Sequence, residues 1–76
     1  MCIYEIESTL SNILNSLFDE YDTESINKLS YIDLFYLYSY IYIYFNVKLK
    51  IQDITENNLT IRSLSKHIYD ESKHGD

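Results

Sequence analysis

The chain has 76 residues, is 46% hydrophobic, and carries a net charge of −6 with one cysteine, one glycine and no proline. That hydrophobic content excludes a disordered segment, the lone Cys2 excludes a disulfide scaffold and fits a reducing cytoplasm, and Leu34 to Val47, the longest uncharged run at fourteen residues, is shorter than the about 20 needed to span a bilayer. The charge is uneven: residues 1–47 hold seven acids against Lys28 alone, and residues 48–76 hold five bases and five acids. The N-terminal half therefore repels nucleic acid and anionic membrane surfaces, and a basic protein surface is its natural complement.

The length predicts one domain over 1–76, burying only about 60% of its unfolded surface and hence marginally stable. Its first residues carry no basic stretch of the kind that opens a signal peptide, so none is expected. Ile3, Ile6, Leu10, Ile13, Leu14 and Leu17 fall on one face of a helix over about 3–18. Asp19 to Leu29 is polar, with isolated Tyr21 and Ile26, and reads as a loop.

Tyr31 to Asn46 admits two readings. Tyr36, Tyr38, Tyr40, Tyr42 and Tyr44 alternate with Leu37, Ser39, Ile41 and Ile43, which is a strand signal. Both alternating sets are largely apolar, however, and a lone strand has nothing to pair with. Leu34, Leu37, Tyr38, Ile41 and Phe45 instead lie at offsets 0, 3, 4, 7 and 11, a coherent helical face. Ser30 is placed to cap that helix through its hydroxyl. The helical reading is preferred.

Ile51 to Glu56 fits one or two helical turns with Ile51 and Ile54 inward. Thr60 is a good cap for a last helix, with Ile61, Leu64, Ile68 and Tyr69 on its apolar face and Gly75 just past its end. The sum is an all-α bundle of three main helices plus one short helix.

The order and spacing of Leu29-Ser30-Tyr31-Ile32-Asp33, Phe45-Asn46-Val47 with Leu49, Asp53-Ile54-Thr55 and Leu59-Thr60-Ile61 with Leu64 resemble those of acyl and peptidyl carrier proteins over roughly residues 26–68. The resemblance implies the carrier bundle and a place in a thiotemplate pathway (polyketide, fatty acid or nonribosomal peptide). In that family a serine bearing phosphopantetheine stands where this chain has Tyr31. A phenol lies further from the backbone and differs in acidity from a serine hydroxyl, so no phosphopantetheine is expected there. The glycine usual before the motif is also missing, with Asn27-Lys28 in its place. Ser30 is the fallback attachment site. One residue is about 100° of helix, so its hydroxyl points elsewhere, and a cap is the simpler role.

Helix 2 is the family's docking surface, normally rich in glutamates. Here only Asp33 survives, and the matching positions include Tyr36, Tyr42 and Ile43. On a helical wheel the outer side holds Tyr36, Tyr40, Ile43 and Val47, with Tyr31, Phe35 and Tyr42 on its flank. A helix apolar nearly all round is normally covered on every side. Each aromatic can bury about 150–250 Å², so half that area from this set reaches or exceeds the about 300–600 Å² of the largest patch on a monomer. Tyrosine suits interface cores, although it also tolerates water. The expected partner-binding residues are Tyr31, Asp33, Phe35, Tyr36, Ser39, Tyr42 and Ile43.

Other chemistry is weakly signalled. His67 and His74 lie two turns apart with Asp70 and Glu71 between them, which matches no usual ligand pair. Asp19, Glu20, Asp22 and Glu24 lack the glycine and terminal glutamate of a calcium loop. No metal site is expected, and Cys2 is no catalytic thiol. The reading is a cytoplasmic, non-enzymatic carrier-like protein that binds a pathway enzyme through helix 2. Its rivals are a working carrier modified on Ser30 and a self-associating helical module unrelated to carriers.

Overall fold

The computed structural model describes residues 2–55 and 59–74. Helix α1 spans Ile3–Leu17, α2 spans Tyr31–Phe45, α3 is the short Ile51–Thr55, and α4 spans Ile61–His74. No strand occurs among the described residues. The architecture is an all-α bundle with three long helices, as expected from periodicity.

Helix α1 forms because its apolar side chains recur every three or four residues. Ile6, Leu10, Ile13 and Leu14 are buried, and the opposite side is polar. Phe18, expected in the last turn, is instead its extended C-cap, with its N–H on the Leu14 carbonyl at 2.9 Å. The loop that follows is well tied. Tyr21 Oη donates to Asn15 Oδ1 at 2.8 Å. Ile26 opens a 3-10 turn, Ile26–Lys28, is fully buried, and donates its N–H to the Leu59 carbonyl at 2.7 Å. Ile26 is therefore a core residue that locks this loop to the approach to α4, and Tyr21 a partly buried anchor, rather than isolated apolar residues in a loop.

Ser30 caps α2: its Oγ accepts from the Asp33 N–H at 3.2 Å. Leu34, Leu37 and Ile41 are buried, with Tyr38 and Phe45 partly buried against the same core. The helix therefore prevails over the alternating pattern because its inner face meets the faces of the other helices. Asn46 ends it in the left-handed region at φ 55°, where asparagine is among the few tolerated residues. The chain then turns inward and buries Val47 and Leu49 while Lys48 and Lys50 stay exposed. The outer-face position expected of Val47 is thus corrected, because the wheel stops being a helix at Asn46. Tyr38 Oη donates to the Leu49 carbonyl at 2.9 Å and fixes this return.

In α3 Ile54 is buried, whereas Ile51, expected to point inward beside it, is 53% exposed. Ile51 is the first residue of this helix, three positions before Ile54. Glu56, the expected end of α3, and Gly75, expected just past the end of α4, lie outside the described residues.

Thr60 and Ser63 begin α4 as a reciprocal capping pair. The Ser63 N–H donates to Thr60 Oγ1 at 3.0 Å and the Thr60 N–H to Ser63 Oγ at 2.9 Å, a serine version of the capping box. Leu64, Ser65 and Ile68 are fully buried, and the Ser65 hydroxyl is satisfied by the Ile61 carbonyl at 2.7 Å. Removing the cap with Thr60→Ala is expected to cost about 1 kcal/mol, measured as a lower urea midpoint at unchanged slope.

The closest helix pair is α1 with α4, and α3 lies against α4. An exposed ion pair, Arg62 Nε to Glu7 Oε1 at 3.1 Å, crosses between α1 and α4, where such pairs add little. The backbone of α2 approaches its neighbours less closely than α1 and α4 approach each other, so α2 is held by its long inner side chains. The radius of gyration is 11.2 Å, close to the value of about 11 Å expected for this length.

Candidate functional site: the outer face of α2

The outer face of α2 carries large apolar groups in water. Tyr31 is 77% exposed, Ile32 70%, Phe35 60%, Tyr36 62% and Ile43 79%. Tyr40, Tyr42 and Tyr44 are also exposed, and Ser39 lies open among them. With about 150–250 Å² per fully covered aromatic, the exposed fractions of Tyr31, Phe35, Tyr36, Tyr40 and Tyr42 amount to roughly 600 Å². That reaches the top of the about 300–600 Å² usual for the largest patch on a monomer, before Ile32 and Ile43 are added.

Ile32, Phe35, Tyr36, Ser39 and Ile43 follow one another at short helical steps, so they form a single stripe along the helix. It lies opposite the core stripe. Its middle is low because Ser39 is small: Ile32, Phe35, Tyr36 and Ser39 line a shallow depression of about 240 Å³. A second apolar cleft of about 240 Å³ opens between α2 and α3, lined by Tyr31, Leu34, Phe35, Tyr38, Ile51 and Ile54. Phe35 is the wall between the two.

All seven residues expected to bind a partner lie on α2, and six of them are exposed. Asp33 differs: it is half-buried in the first turn, its amide tied to Ser30. Its carboxylate is the only charge on α2. Sequence reasoning missed Ile32, although its spacing of three and four residues from Phe35 and Tyr36 already marked it. It also missed Ile51, whose exposure completes the second cleft.

The remaining candidates resolve differently. Asp22 in the acidic loop is occupied: Oδ1 accepts from the Glu24 N–H at 2.9 Å and Oδ2 pairs with Lys28 at 3.3 Å. The Glu24 amide, then the Lys28 ammonium, hold its carboxyl below the usual range. His67 Nδ1 lies 3.8 Å from Asp53 Oδ1, bringing α4 and α3 together when the imidazole is protonated. The His74 side chain lies outside what the structure describes, and among the described residues no three of His, Cys, Asp and Glu converge on a metal position. Cys2 is exposed and caps α1 without a side-chain bond. Among the described residues no helix is long and apolar enough to cross a membrane.

No protein-family model, no curated protein and no solved structure matches this chain.

Proposed function

We propose that this protein is a carrier-shaped binding module. It docks an enzyme of a thiotemplate pathway through the outer face of α2 and recruits, stabilises or regulates that enzyme without carrying phosphopantetheine. The observation that carries the reading is the second apolar stripe on α2, opposite the core and too large for a surface left in water. The order of long, long, short and long helices agrees with the carrier resemblance, and Tyr31 stands exposed at the head of α2 where the resemblance places the modified serine. A surface of buried aromatics suits long-lived contact. Carriers that visit several enzymes rely on weaker, charge-steered docking.

Modification at Ser30 is the rival reading. Its Oγ is already engaged as the cap of α2, and an extended adduct there would compete with that bond. The deciding experiment is the intact mass after incubation with coenzyme A and a broad-specificity phosphopantetheinyl transferase, beside a conventional carrier. No mass gain is expected. A gain of one phosphopantetheine that Ser30→Ala abolishes would make the protein a working carrier and rule out a module that acts by binding alone.

A further inference from the structure

We infer that, away from its enzyme, α2 is covered by α2 of a second copy, packed antiparallel about a two-fold axis beside Ser39. This rests on the reading of α2 as the docking face and names a second occupant for it. Three observations select this chain itself as that occupant.

The first is area. The roughly 600 Å² of exposed aromatic surface, from rings of about 150–250 Å² each, together with the exposed Ile32 and Ile43, approaches the about 800 Å² that a standard interface takes from each partner. The second is shape. Ser39 is the low point of the stripe, with Phe35 and Tyr36 on one side and Ile43, 79% exposed, on the other. Turning the stripe end over end about Ser39 places each Ile43 between Phe35 and Tyr36 of the other copy. The smallest side chains then meet at the axis, where two helix backbones can approach to about 8–10 Å. An isologous contact requires a surface that is its own complement in this way.

The third is charge. Asp33 is the only charged residue on α2 and sits in its first turn. It stands about 100° round the helix from Ile32, so the stripe itself carries no charge and a second copy brings none into the contact. The antiparallel pair separates positions 33 by twelve residues of rise, about 18 Å, beyond the screening length of about 8 Å at physiological salt. The acidic first half of the chain still repels a second copy at long range, so a basic enzyme surface is the better complement and displaces it. Self-association and enzyme binding exclude one another because they use the same stripe.

The test is sedimentation or light scattering of the purified chain from micromolar to submillimolar concentration, joined to cysteine linking in a Cys2→Ser background. The expected result is a concentration-dependent doubling of mass. Ile43→Glu should weaken it at least about 30-fold, the effect of losing one central anchor, with unchanged helical circular dichroism, and Tyr36→Glu should act alike. Ser39→Cys should link to itself on oxidation. Ile32→Cys should not, because its two copies lie about 21 Å apart along the axis and a disulfide needs Cα atoms within about 7 Å. A monomer throughout, a dimer indifferent to both glutamate changes, or self-linking through Ile32→Cys overturns the proposal. None of these measurements uses an enzyme, so their failure leaves the enzyme reading standing. A dimer that forms as expected while thiotemplate enzymes fail to bind would end only the enzyme reading.

Discussion

Leu37→Ala is expected to lower stability by about 2–5 kcal/mol, the range for deleting a fully buried leucine. Leu37 is wholly inaccessible at the middle of the inner face of α2. A domain of this length holds roughly 0.05–0.15 kcal/mol per residue, so the change takes much of the total. Urea denaturation would show a large fall in the midpoint, or a chain unfolded without denaturant. Tyr36→Ala, one residue away but 62% exposed, should shift stability by no more than about 0.5 kcal/mol in the monomer. Equal effects at the two positions would mean that α2 does not pack against the core through its Leu34, Leu37 and Ile41 face.

The second large effect concerns binding. Tyr36→Glu combined with Ile43→Glu places two carboxylates on the outer stripe of α2. Free in water they cost the fold little, since both side chains are already exposed. Buried against an enzyme they lose two apolar anchors and add two desolvated charges. Each anchor of this kind is commonly worth about 2 kcal/mol or more, so the double variant, which loses two, should bind several hundred-fold more weakly, about 4 kcal/mol. Calorimetric titration against thiotemplate enzymes would measure this, with circular dichroism confirming the fold. Unchanged affinity would show that the enzyme meets some other surface.

Much of the fold is legible in the sequence, and the reason differs by element. The inner faces of α1, α2 and α4 follow from spacing alone, because each helix must bury one stripe. Ser30 and Thr60 are readable as caps because a hydroxyl before an apolar run has few other uses. Ser63, which completes the second cap, has no such signature. A helical wheel misplaces Val47 because it has no stop written into it; the stop is Asn46, and its left-handed backbone is set by the inward pull of Val47 and Leu49. The burial of Ile26 goes with a hydrogen bond from its N–H to the Leu59 carbonyl, a contact between backbones far apart in the chain that no side-chain pattern announces. Ser65 is buried because a small polar side chain can return its hydrogen bond to its own helix. The outer stripe is legible except for Ile32, since the alternating tyrosines draw the eye to period two and the stripe runs at period 3.6.

Asn46 also acts as a ruler. By ending α2 and sending Val47 into the core, it fixes the last outward anchor at Ile43, and the stripe from Ile32 to Ile43 is eleven residues of rise, about 16 Å. A groove that covers the whole stripe has to match that length. One helical turn more on α2 would lengthen the exposed stripe by about 5 Å and strip the core of Val47 and Leu49 in the same step. The length of the stripe and the integrity of the bundle are therefore set by one backbone angle, and a sequence cannot alter one without answering for the other.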